Sequence, residues 1–143
     1  MTDFRGFFRR IIVLHEEITS MIINAFYLVY NTLGYGFLEK VYENALAHEL
    51  RKRGLKVEQQ APIKVYYDGV AVGEYFADLL VEEKVILELK VAESISDAHK
   101  AQVINYLKAT GLEVGLVMNF GPEAAFKRVA NTKNYKKDKK KSA

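Results

Sequence analysis

The sequence predicts an α/β protein, a mixed central β-sheet flanked by helices, and three observations point there. Apolar residues recur at helical spacings of three and four up to about residue 53, and then the pattern shortens to the alternation of strands. One further helical stretch separates these strands from a later one. Half of the 143 residues are apolar, enough for one sizeable core, and a sheet covered by helices is the packing solution for this element order.

The first helix runs from Ile11 to Leu33, with Ile18, Met21, Ile22, Ala25, Phe26 and Val29 on one face. Gly34 and Gly36 around Tyr35 break it. A second helix spans about Phe37 to Arg53, with Leu38, Val41, Tyr42, Ala45, Leu46 and Leu50 inward. Its basic last turn, Arg51 to Arg53, suits the negative end of the helix dipole, and Gly54 stops it. Four β-rich runs follow: Leu55 to Gln60, Ile63 to Tyr67, Val70 to Val81 and Val85 to Val91. Asp68-Gly69 marks one hairpin turn, and the polar Glu82-Glu83-Lys84 a second. A third helix is expected from Asp97 to Thr110, capped by Ser96 or Asp97 and stopped by Gly111. The strand Val114 to Phe120 comes next, then Gly121-Pro122 and a short helix from Glu123 to Ala130.

The expected organisation is one domain over residues 1–130 and a disordered lysine-rich tail over 131–143. The tail holds six lysines against Asp138, a net of +5, while the whole chain carries +3, which leaves the remainder at −2. Such a tail can hold phosphates without reading sequence, or simply aid solubility. There is no cysteine, which excludes disulfides, thiolate zinc sites and cysteine nucleophiles. Ile11 to Leu14 is too short for a signal-peptide core of roughly 7 to 15 residues, and Met21 to Tyr30 falls short of the ~18 that span a bilayer. A cytoplasmic protein without a membrane partner is therefore expected, with self-association into a homo-oligomer left open. His15, His48 and His99 lack metal-site spacing and read as surface or helix-end residues.

The chemistry gathers on two neighbouring strands. Asp78 interrupts Phe76 to Leu80, and Glu88 and Lys90 share one face of Ile86 to Val91. A three-residue turn at Glu82 to Lys84 sets Asp78 across from Glu88; a two-residue turn would set it opposite Leu87, on the other face. The first register makes a carboxylate pair that repels itself unless a cation or proton lies between. Oxygen ligands alone select Mg2+, Mn2+ or Ca2+ over zinc, and Mg2+, with Mn2+ as the alternative, suits phosphate chemistry. The same residues also fit a cross-strand ion-pair network on a solvated face.

Asp78 followed by Glu88-Leu89-Lys90 resembles the D…(D/E)xK signature of the PD-(D/E)XK nucleases, and the element order resembles their restriction-endonuclease-like core. Gly36-Phe37-Leu38-Glu39-Lys40-Val41-Tyr42 is similar to the GxxExxY motif of a family within that superfamily, and Gln102 with Tyr106 resembles its Q-x-x-x-Y element. Ala77 stands where the superfamily name leads one to expect proline. The resemblance covers roughly residues 15 to 130. It implies a metal held by Asp78, Glu88 and the Leu89 carbonyl, reached by Glu39 through a water. It also implies Lys90 facing the attacking water and Gln102 near the substrate phosphate or Lys90. Tyr42 and Tyr106 read as core aromatics with hydrogen-bonded hydroxyls. The implied activity is divalent-metal-dependent hydrolysis of phosphodiester bonds in DNA or RNA. The alternatives are a non-catalytic nucleic-acid- or protein-binding module on the same fold, and a structural homo-oligomer.

Overall fold

The computed structural model describes residues 4–131, with side chains from His15 onward. The elements are α1 (Phe4–Leu33), α2 (Glu39–Lys52), β1 (Val57–Tyr67), β2 (Val70–Val81), β3 (Val85–Lys90), α3 (Asp97–Thr110), β4 (Val114–Phe120) and β5 (Ala124–Ala130). The five strands form one mixed sheet in the order β1-β2-β3-β4-β5. β3 and β4 are parallel, joined through α3, and the other three pairings are antiparallel. This agrees with the α/β architecture the sequence predicts. The lysine-rich tail lies outside the described residues except for Asn131, which is buried and donates its N–H to the Glu113 carbonyl.

Local chemistry sets most boundaries. Ser96 and His99 cap α3 reciprocally, and Gly111 ends it in the left-handed conformation. Asp68 and Gly69, both at positive φ, make the tight turn of the β1–β2 hairpin. The two runs on either side of Pro62 form a single strand, because β1 is at the sheet edge, where a proline's missing N–H can face solvent.

The expected short helix from Glu123 to Ala130 is instead β5. Every residue of β4 is buried, and its open side needs a hydrogen-bonding partner. Pairing from Val114↔Ala130 to Phe120↔Ala124 supplies one, which outweighs the helix preference of the alanines. α1 also starts seven residues earlier than the apolar periodicity indicates.

Two cores lie on the two faces of the sheet. One joins α1 and α2 to Val57, Leu79, Val81, Leu87, Leu89 and the facing residues of β4. The other joins Val103, Tyr106 and Leu107 of α3 to Ala61, Ile63, Ala77 and Ile86. Simple alternation would put Val57 with Ala61, and Leu79 with Ala77. They lie in opposite cores because the strands exchange faces at Gln60 and Asp78, where Gln60 takes φ 52° and the β1–β2 register passes from Gln59↔Leu79 to Ala61↔Ala77.

Candidate metal centre

Asp78 sits at this exchange point, beside β3. The three-residue turn holds, with Val81↔Val85, Leu80↔Ile86 and Leu79↔Leu87 paired, and the same register brings Asp78 next to Glu88. Side chains then take over from the ladder. The Asp78 N–H donates to Glu88 Oε1 at 3.2 Å, and the Leu89 N–H donates to Asp78 Oδ2 at 2.7 Å. Gln60 donates its amide to Asp78 Oδ1 at 3.3 Å. Lys90 lies on the same side, its Nζ 4.0 Å from Glu88 Oε2.

Confinement makes these acids reluctant to ionise. Glu88 is 4% exposed, and burial followed by the Asp78 charge pushes its pKa up to about 8. Asp78 is also raised, because burial outweighs the bonds from Leu89 and Gln60 that favour its charged form. Glu39, the first residue of α2, has an exposed side chain, yet partial desolvation and then the Asp78 charge raise its carboxyl too, with Lys90 acting in the opposite sense. Glu39, Asp78, Glu88 and Lys90 thus share one electrostatic centre.

Tyr42 fixes the start of α2, where Glu39 stands. It is fully buried and stacks on Phe120 with ring centroids 4.5 Å apart. Its hydroxyl donates to the Gly34 carbonyl and accepts the Phe37 N–H, so the turn before α2 is tied to the helix that follows. Gly36, at φ 121°, gives that turn a conformation L side chains rarely adopt. Gln102 donates to the Tyr106 hydroxyl at 2.8 Å. Tyr106 is nearly buried, and desolvation followed by the Glu88 charge raises its pKa, which couples Gln102 to the acids through that ring.

Sequence reasoning missed Glu43. This buried acid accepts Lys40 Nζ at 2.7 Å and Gln59 Nε2 at 2.8 Å on one oxygen, and Gln60 Nε2 at 2.7 Å on the other. Gln60 therefore bridges Glu43 and Asp78. The available signal was an acid four residues after Glu39, on the inward side between Tyr42 and Leu46. His15 is buried rather than on the surface, its Nε2 3.9 Å from Glu113 and its pKa lowered by burial. His99 is a helix-end residue, its Nδ1 accepting the Ser96 N–H.

Among the described residues no three histidines or acids form a ready cage for a metal ion. The donor set nonetheless fits a hard cation: two neighbouring carboxylates whose charged forms burial disfavours, with carbonyls and water able to complete the shell.

A family model for the PD-(D/E)XK nuclease superfamily matches residues 16–129, from within α1 to within β5. The crystal structure of SSO0001 is similar in fold, with a TM-score of 0.51 and 18% identity over 85% of this chain. The match covers 62% of that protein, so this chain spans less than two thirds of its length. No curated protein is similar at a comparable level. The family match extends over well more than half of the sequence, and the chain belongs to the PD-(D/E)XK nuclease superfamily.

Proposed function

We propose that the protein is a nuclease that uses Mg2+ or Mn2+ to hydrolyse phosphodiester bonds in nucleic acid. The observation that carries this reading is the Asp78–Glu88 pair, two acids brought together on neighbouring strands, Glu88 buried and Asp78 half-buried, with Lys90 Nζ 4.0 Å from Glu88. Asp78, Glu88 and the Leu89 carbonyl would hold the cation, with Glu39 reaching it through water. When bound, the ion supplies charge stabilisation at a phosphoryl oxygen and acidifies water. Lys90 would orient the attacking water and meet the charge developing on phosphorus. Gln102, steadied by Tyr106, would stand beside the substrate phosphate. The Gly36 to Tyr42 segment, read as a GxxExxY motif, serves to set Glu39 in place. The reading includes a cytoplasmic protein whose lysine-rich tail gathers the nucleic-acid backbone.

Incubation with single- and double-stranded DNA and RNA, with EDTA, Mg2+ or Mn2+, tests this. Cleavage should require the metal and fall at least about 100-fold in both Asp78→Asn and Lys90→Ala. Metal-independent cleavage, or an Asp78→Asn variant as active as the parent, would remove the reading. Retained binding without cleavage of any substrate would favour a non-catalytic module on the same fold.

A further inference from the structure

A groove of about 870 Å³ lies between α3 and the outer part of the β1–β2 ribbon. That is within the roughly 300–1,000 Å³ typical of small-molecule sites. Tyr75 lines it with 51% of its surface exposed, yet its ring rests on Tyr106 at 5.7 Å and 43°. Tyr66 lines the ribbon side as well, 62% exposed. From α3 come the amides of Gln102 and Asn105 and the cation of Lys108. The Asn105 side chain makes no hydrogen bond to the described residues, so both functions of its amide are open to a ligand.

We infer that this groove binds an unstacked nucleobase of a single-stranded nucleic acid. The inference rests on the nuclease reading and names the substrate class of that site. An anchored, half-exposed ring is a stacking platform whose ordering cost is already met by the fold. The Asn105 amide matches the donor and acceptor edge of a base, and Lys108 suits its phosphate. A base paired within a duplex hides its face from such a platform. One lining residue also connects the groove to the acidic centre. Tyr106 lines it, holds Gln102, and lies within the electrostatic reach of Glu88 and Asp78. A base stacked on Tyr75 would thus leave a neighbouring phosphate on the way to Asp78 and Glu88.

The test is fluorescence anisotropy in EDTA with an end-labelled thymidine DNA strand of about 12 nucleotides, the matching uridine RNA strand, and a DNA duplex of equal length. Single strands should bind about tenfold more tightly than the duplex. Tyr75→Ala should weaken single-strand binding about 5- to 100-fold and leave duplex binding unchanged, and Tyr66→Ala should weaken it in the same direction. Tyr75→Phe, which keeps the ring, should bind within about twofold of the parent. The DNA and RNA arms decide which sugar is preferred. Equal affinity for duplex and single strands overturns the inference, as does Tyr75→Ala binding like the parent. So does a dimer, seen by sedimentation, that Tyr75→Ala dissociates, because the groove would then be a contact between copies. Metal-dependent cleavage indifferent to Tyr75 removes the groove and keeps the nuclease. Tyr75-dependent binding without cleavage keeps the groove and removes the nuclease.

Discussion

Burial and the Asp78 charge lift Glu88 from an ordinary 4.5 to about 8, and this links the site to stability. In the unfolded chain Glu88 ionises near 4.5, so between 4.5 and about 8 the folded protein holds a proton that the unfolded one lacks. Stability therefore falls as pH rises through that window; below it both states are protonated and the group contributes nothing. Without metal, Glu88→Gln should flatten this fall. At about pH 8 it should exceed the parent in stability by on the order of a few kcal/mol. Melting curves from about pH 4 to pH 8.5 in EDTA check it, and parallel profiles would show that Glu88 is not held at this cost. Asp78, Glu88 and Lys90 were legible in the sequence because turn length and strand parity fix which residues meet. Glu43 was not, since its partners Gln59 and Gln60 reach it only after α2 has docked on β1.

Elements with their own start and stop signals were equally legible. The third helix begins and ends where Ser96 and Gly111 place it. β5 was misread because its seven residues become a strand through the demand of β4 for a partner, which no local pattern encodes. The exchange of faces at Gln60 and Asp78 escaped for a related reason, since parity holds only while a strand keeps its faces from end to end. The junction of β4 and β5 offers a direct test of packing. A Cβ at Gly121 would lie 1.9 Å from the Ala92 carbonyl oxygen, part of the backbone. Asn119 clasps the same residue, accepting its N–H at 2.9 Å and donating to its carbonyl at 2.8 Å. Gly121→Ala must force this clasp open and should cost about 2–3 kcal/mol in urea unfolding. An unchanged midpoint would mean that the chain after β3 shifts freely.

Charge is distributed unevenly over the whole molecule, and the difference bears on how it meets a polyanion. Residues 132–143 carry +5 and leave the remainder at −2. A chain ending at Asn131 should bind nucleic acid more weakly. Its affinity should also fall less steeply with salt, because the slope of log K against log salt shrinks by about 0.7–0.9 for every phosphate that a lysine no longer neutralises. Affinities measured across a salt series check this, and identical slopes would mean that the phosphates are held elsewhere. No helix among the described residues is long and apolar enough to cross a membrane. The exchange of faces divides β1 and β2 into two lengths with different duties. Inside the joint, Leu79, Val81 and Val57 are locked in the core; beyond it, Pro62 to Phe76 form a ribbon whose outer part walls the groove. On the proposed function, the stretch that would grip a substrate and the stretch that would act on it are separate lengths of the same hairpin. A ribbon of another length or composition could be grafted beyond Ala61 and Ala77, to retarget the molecule while Asp78 and Glu88 stay where they are.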